Sequence, residues 1–508
     1  MNILYKLMLG LAFGLCITGC KKHLEEKSQD EVKPTTVTEL QQLLMGEVYP
    51  AGSAQPGFHA YLDMLTDDVS SNYNGAKGAS LTYRKYTPVF TWRNDMFELM
   101  EAAQVNDPID TYEHYYRRIM GCNVVLDMID NVRGDDDDRE NVRGQALAMR
   151  SYFYFMLVNL YGQPFNAAGV DINTSPGVEL ILSSVVRDVN PVRVSVARIY
   201  EQVEKDLLAA MPLIEKNGKS NSKYRVTDVF VYNLLSRMYL YMEKWELAKK
   251  YATMGLQRNS ALLRLADLKV PYYENYQPAN NVYSSTSVEA IWLGYACTTE
   301  YFGVTLIPEG PPLFQVSTDL QSKYDYHAAN TTNRGDLRLR FFHAWEFEDQ
   351  CCWTIPYVLT GGKYKDGATR SEPTKGMRVA ELYLNRAESN IQLYLKNNDE
   401  ALRKAALDDL NTLRSYRYDT RNVAYVPVDY SGTALLDFYR DERRRELSFE
   451  DHRWFDLRRY GMPEIRHKLQ TVAGQPVTEY VLQKGDKRYV LPFRRTVLAR
   501  NPNLVPNP

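Results

Sequence analysis

Apolar residues recur along most of this chain at a helical period. Tyr112, Tyr116, Ile119, Val124, Leu126 and Ile129 fall near 3.6-residue spacing, and Gly134 with Asp135–Asp138 breaks the run. The four aspartates lack the alternating ligands and terminal Glu of a calcium loop, so they read as a solvated loop. From Glu140 to Tyr161, one face carries Ala146, Met149, Phe153, Met156, Leu157 and Leu160, and another carries Tyr152, Phe155 and Val158. Two apolar faces predict a largely buried helix, stopped by Gly162 and Pro164. Ser195 caps a helix over Val196–Ile214 with Ile199, Val203, Leu207 and Met211 as its stripe. Thr227 opens another through Met242, and a two-residue turn leads into Trp245–Gln257. So tight a connection makes an αα-hairpin, as in tetratricopeptide repeats. A second pair spans Met377–Leu395 and Asp399–Tyr416. The pairs lie far apart in sequence, which predicts a helical scaffold rather than a continuous solenoid.

Elsewhere the period fails. Thr38 caps a short helix with Leu40, Leu43 and Leu44 on one side and Gly46 near its end. Residues 50–95, rich in Gly, Ser, Asn and Tyr, read as loops with short extended pieces. Residues 260–375 hold Pro, Gly, Asn and aromatics without a sustained helix, and Ala290–Ala296 and Trp353–Leu359 are strand candidates. An irregular insertion of this length in a compact chain is usually functional.

The densest charge lies in Leu435–Gly461. Glu442, Glu446 and Glu450 step by four residues and form one acidic row on a helix, interleaved with Arg443, Arg444 and Arg445. Leu436, Tyr439, Leu447, Phe449, Trp454, Phe455 and Leu457 leave little of this segment to face water. The combination predicts paired, partly buried ions, because an unpaired buried charge is costly. Three adjacent arginines could also serve an anionic ligand, but the glutamates beside them satisfy them internally.

The run ERRREL-x-FE-x-HRWFDLRR resembles the C-terminal signature of the SusD/RagB family. RSYFYFMLVNLYGQPF is similar to that family's Tyr-Phe…Leu-Tyr-Gly-x-x-Pro element, and Asp336-Leu337-Arg338 matches its structural Asp-x-Arg. The close, LPFRRTVLARNPNLVPNP, is similar too, though without the usual Gly-Tyr ending. The likeness touches residues 17–26, 38–46, 112–162, 226–257, 319–340 and 376–508. It implies a mainly α fold of tetratricopeptide-like hairpins with a loop-rich variable face and few short strands. It also implies a surface lipoprotein that binds a nutrient, most often a glycan, beside a SusC-like TonB-dependent outer-membrane transporter.

The amino terminus agrees with that placement. Lys6 followed by the apolar stretch Leu7–Gly19 reads as an export signal too short to span a bilayer. Ile17-Thr18-Gly19-Cys20 resembles a bacterial lipobox, so Cys20 is the expected lipid attachment site and a tether. Residues 20–37 are a lipidated polar stalk, although Lys21 and Lys22 precede the acids that often follow the cysteine directly in the family. Residues 38–508 form the body: an N-terminal half to about 260, the insertion to about 375, and a C-terminal half from 376. Cys122, Cys297, Cys351 and Cys352 lack zinc spacing and do not make a disulfide framework.

Composition narrows the function. With 44% hydrophobic and 24% charged residues and a net charge of −2, nothing recruits nucleic acid by bulk electrostatics. The excess of 38 Tyr over 17 Phe suits partly wet surfaces that recognise sugars or peptides. There is no HExxH, GxSxG, P-loop or GxGxxG, which predicts neither catalysis nor a metal or cofactor other than the lipid. The family's ligand surface draws on early loops and the long insertion, which here nominates Tyr73, Tyr83, Trp92, Trp292, Tyr295, Tyr301 and Trp345. Each ring has an alternative as ordinary core. A glycan ligand is expected first; an oligopeptide captured as by RagB, or a helical scaffold with no small ligand, are the other readings.

Overall fold

The computed structural model describes residues 33–50, 59–71, 81–105, 109–186, 188–220, 222–268, 282–295, 314–349, 353–359, 375–470 and 476–507. The N-terminal half contains α1 (Val37–Leu43), β1 (Val69–Ser71), α2 (Leu81–Phe90), α3 (Met96–Ala102), α4 (Thr111–Met128) and α5 (Asp136–Tyr161). A hairpin of β2 (Pro176–Glu179) and β3 (Arg193–Ser195) leads into α6 (Val196–Asn217), α7 (Asp228–Tyr241) and α8 (Trp245–Arg258). The insertion carries β4 (Ala290–Tyr295), β5 (Phe314–Val316), α9 (Thr318–Ser322), β6 (Ala344–Asp349) and β7 (Trp353–Leu359). Then follow β8 (Lys375–Arg378), α10 (Val379–Asn397), α11 (Glu400–Ser415), α12 (Gly432–Leu447), α13 (Arg453–Arg459), β9 (Ile465–Leu469), β10 (Thr478–Leu482) and α14 (Arg495–Arg500). The fold is mainly α, and every sheet among the described residues is a two-stranded antiparallel ladder.

The helix starts follow side-chain caps. Ser195, Thr227 and Asp399 accept from backbone amides of α6, α7 and α11, as their positions predict. Three expectations are corrected. The cap of α1 is Thr36, not Thr38, because Glu39 completes a capping box with Thr36. The acids at 135–138 are not a loop: Asp135 accepts from the amides of Asp137 and Asp138, and Asp136–Asp138 form the first turn of α5. Acid side chains at a helix start complement its dipole, so a charge run that looks like a breaker is here the entry. Residues 81–90, inside the stretch expected as loops, form α2 with Pro88 within it, and α3 follows at Met96–Ala102.

The hairpins stack without a gap. α5 packs on α4 and α6, α7 on α8, α8 on α10, and α10 on α11. The insertion therefore leaves the stack after α8 and returns at α10, so the two pairs, far apart in sequence, pack side by side in the expected helical scaffold. Gly255 lets α8 approach α10 closely, since a Cβ there would meet Leu382 Cδ1 at 2.7 Å. One apolar cluster runs from Val37 and Leu40 through Phe153 and Leu235 to Leu382, Trp454 and Leu504. Cys122 is buried in it as a free thiol, and burial pushes that thiol up. The closing segment acts as a strap: Leu491 donates its amide to Leu160 O, and Asn507 donates to Leu491 O and Tyr161 O.

The acidic row of α12 is fully buried and fully engaged. Arg338 donates to Asp336, Glu442 and Glu446 at 2.7–2.9 Å. Arg378 meets Glu289 at 2.6 Å, Glu446 at 2.5 Å and Glu450 at 2.8 Å. Arg417 meets Glu289 at 2.7 Å and Glu446 at 2.9 Å, and Glu442 also takes Arg414 and Arg445. Arg338, Arg378 and Arg417 are each 0% exposed. Glu450 is not on the helix as the spacing suggested. It lies in the turn beyond, where Phe449 and Asp451 adopt φ of 57° and 63°. That left-handed turn is costly for non-glycine residues and persists because ions on both sides hold it. Burial alone would raise the Glu442 carboxyl, but Arg338, Arg414 and Arg445 outweigh it and hold it well below the usual range.

The arginine run shares no single partner. Arg443 meets Asp456 at 2.8 Å, Arg444 meets Asp68 at 2.6 Å and Asp319 at 2.5 Å, and Arg445 turns back to Glu442 at 2.7 Å. The clasp reading holds for this segment. Glu446→Gln leaves three buried guanidiniums short of charge, and a broken buried pair costs about 3–5 kcal/mol. Urea titration at neutral pH measures it; a loss below about 1 kcal/mol would contradict a clasp.

Candidate functional site

The candidate face is built on the strands of the insertion. β4 pairs antiparallel with β8, opposing Tyr295 to Lys375, Leu293 to Gly376, Trp292 to Met377 and Ala290 to Arg378. Gly376 is obligatory there, because a Cβ would lie 1.9 Å from the Trp292 carbonyl oxygen. The β6–β7 ladder sets Trp345 opposite Val358. Both ladders thus carry a nominated ring in their backbone, at Tyr295 and Trp345. The side chains of Tyr83, Tyr295 and Trp345 lie outside the described residues, as do Tyr73 and Tyr301 altogether.

Two nominated rings belong elsewhere. Trp292 is 0% exposed and packs edge-on against Tyr152 and Phe230, with centroids 5.2 and 5.4 Å away. Trp92 is 3% exposed; it donates its indole N–H to Leu65 O at 3.0 Å and stacks on His467 at 4.2 Å. Phe90 covers the imidazole too, at 4.0 Å, and burial pushes His467 down to about 4. Ala290, Ile291, Trp292 and Leu293 are all buried, so β4 has no water-facing side over these residues, and Trp292 and Trp92 are corrected from ligand platforms to core.

Behind the β4–β8 ladder lies a cluster that sequence reasoning did not anticipate. Lys375 is buried and bridges Asp63 at 2.7 Å and Asp451 at 2.5 Å. His59 Nε2 lies 3.0 Å from Asp451, and Tyr115 Oη 2.5 Å from His59 Nδ1. Burial, only partly offset by Lys375, pushes Asp63 up to about 6. The same ammonium, with His59, outweighs burial at Asp451 and holds it low. His59, Lys375, Gly376, Glu450, Asp451 and His452 line a cavity of about 20 Å³. That is room for a water and not for a sugar ring. Its groups are joined by contacts between residues 56 to 392 positions apart, so no local pattern signals them. Among the described residues, no His, Cys, Asp and Glu group is arranged to hold a metal ion.

Residues 22–240 match the sequence profile described as starch-binding associating with outer membrane, and residues 352–508 match that of the SusD family. The chain belongs to the SusD/RagB family. SusD-like protein P2 of Formosa agariphila is 24% identical over 412 residues, 73% of this chain and 75% of that one. A SusD superfamily crystal structure from Bacteroides thetaiotaomicron superposes with a TM-score of 0.66 at 21% identity, covering 93% of this chain and 100% of that one. A SusD-like carbohydrate binding protein from Bacteroides vulgatus gives 0.62 at 20% identity, covering 92% and 97%. At these identities the structural likeness establishes the SusD fold and nothing finer.

Placement of Trp92 yields a direct expectation. Trp92→Ala removes a packed indole from the SusD-like core and costs about 3–5 kcal/mol of stability, read as a lowered chemical-denaturation midpoint. An unchanged midpoint would return Trp92 to the surface.

Proposed function

We propose that this protein is a non-catalytic, lipid-anchored binder on the cell surface. It captures a glycan and delivers it to a SusC-like TonB-dependent outer-membrane transporter. The observation that carries this reading is the match of residues 22–240 to the profile described as starch-binding associating with outer membrane. The carbohydrate binding named for the Bacteroides vulgatus relative supports it. The architecture is compatible with it: a helical stack with buried ion pairs carries an insertion whose ladders include positions 295 and 345.

Sugar rings bind by laying C–H faces on aromatic rings while hydroxyls find polar partners. Tyr295 and Trp345, with Tyr73, Tyr83 and Tyr301, are the rings assigned that task. Glycan-array screening identifies the sugar, and titration calorimetry then compares Tyr295→Ala and Trp345→Ala with the unsubstituted protein. Each variant is expected to bind at least tenfold more weakly, about 1.4 kcal/mol, with its melting temperature retained. Unchanged affinity in both removes these rings from the site, and capture of a peptide library in place of glycans turns the reading to an oligopeptide binder.

Cys20 carries the anchor in this reading, with acyl chains holding the amino terminus in the outer membrane. Cys20→Ser is expected to move the protein from the membrane pellet to the soluble fraction after cell lysis. Retention of the variant in the pellet would contradict a lipid tether at this residue.

A further inference from the structure

The Lys375 bridge joins three distant parts of the chain at the end of a ladder. Lys375 opens β8 and pairs with Tyr295, the last residue of β4, so it marks where the chain leaves one strand and returns in the other. Asp63, 2.7 Å from its ammonium, lies in the short helix Ala60–Leu65 that leads into β1. Asp451, 2.5 Å away, lies in the left-handed turn beyond α12. β1 in turn pairs with β5, setting Ser71 opposite Phe314. The connection from Tyr295 to Phe314, which contains Tyr301, therefore begins at the Lys375 end of one ladder and finishes at the Ser71 end of the other. The Asp63–Lys375 contact ties the segments that carry these two ladders to each other, and Asp451 ties both to the turn after α12.

The cation at this junction differs from those of the α12 network. Arg338, Arg378 and Arg417 are guanidiniums that keep their charge at any pH a protein meets. Here one ammonium, 2% exposed, is shared by two carboxylates. Neutralising either acid removes one arm of the bridge. Asp63 is the acid that takes the proton first: burial raises it to about 6, with Asp451 and Asp68 adding to the rise, whereas Asp451 is held low by Lys375 and His59. The other charges around the junction have their own counterparts. Asp68 meets Arg444 at 2.6 Å, Glu450 meets Arg378 at 2.8 Å, and Arg237 on α7 meets Glu381 at 2.6 Å. His59 contacts Asp451 and Tyr115 of α4, and His452 Nδ1 lies 3.4 Å from Arg443. The adjoining cavity of about 20 Å³ has room for a water that exchanges the proton.

We propose that Lys375 is a positioning residue for glycan capture: shared between Asp63 and Asp451, it fixes the two ladder ends relative to each other, and a proton on Asp63 loosens them. The inference rests on the glycan reading above and adds a pH dependence to it. Binding and stability depend on that proton with opposite signs. Asp63 holds a proton more tightly in the folded chain than in the unfolded one, so its contribution to stability is present at low pH and is lost as pH rises through about 6. Glycan affinity runs the other way, because the two-armed bridge needs Asp63 charged. A residue that only supported the fold would move both together.

The test titrates the array-selected oligosaccharide by calorimetry into the full chain and into its Asp63→Asn variant, from about pH 7.5 down to about pH 5, a window that spans the Asp63 titration. Asparagine keeps the shape of a neutral Asp63 and leaves Lys375 paired with Asp451, so the variant is expected to fold with an equal or higher melting temperature at neutral pH. The unsubstituted protein is expected to bind at least about fivefold more weakly at the acid end. Asp63→Asn is expected to show that weaker affinity at both ends. An affinity flat with pH in the unsubstituted protein, or the same pH dependence in both proteins, overturns the role of Lys375 while leaving glycan binding intact. The pH profile of the unsubstituted protein decides the matter alone should the variant not fold. Binding of no glycan at any pH defeats the glycan reading, and this role with it.

Discussion

Opposed charge, taken out of water and matched, holds this molecule in register. Asp336, Glu289, Glu442, Glu446 and Glu450 face Arg338, Arg378, Arg414, Arg417 and Arg445 in one buried network. Desolvating so many ions gains little over an apolar core and is severe if one partner is lost. What the network adds is specificity of placement. Glu289 stands before β4, Asp336 and Arg338 stand within the insertion, and Arg378 closes β8. The insertion is thereby fastened to α12 at its entry, middle and exit. Arg444 and Arg453 extend the arrangement to Asp67 and Asp68 beside β1.

The helical stack and the insertion are held in different ways. The helical stack buries its faces through helix-to-helix packing, with small residues such as Gly255 at the crossings. The β4–β8 ladder is joined to it by backbone pairing and by the Arg378 ion pairs.

Much of the scaffold was legible in the sequence, for a physical reason. Long helices such as α5, α7 and α8 announce themselves through 3.6-residue periodicity and caps, as at Ser195 and Thr227. The charged signature at 442–459 was legible as self-paired because acids and arginines alternate within reach of one another. Short or capped-by-acid elements were not: Asp135–Asp138 resemble a breaker until Asp135 is seen to cap. Continuity of the stack across the insertion depends on the contact of Gly255 with Leu382, residues no local pattern relates. The rings divided for a similar reason. Trp92 and Trp292 look like any other aromatic in a Tyr-rich chain, and only the pairing of β4 with β8 and the stacking on His467 reveal them as core. The Lys375 bridge between Asp63 and Asp451 was equally invisible.

The most direct test of the buried network as organiser is hydrogen exchange by mass spectrometry in an Arg378→Met variant. If the charges fasten the insertion to α12 as one unit, amides at 289–295, 336–343 and 375–378 lose protection together, while α5 and α7 keep theirs. Loss confined to the immediate neighbours of residue 378, with 336–343 unchanged, would show that the insertion is held by something other than opposed charge.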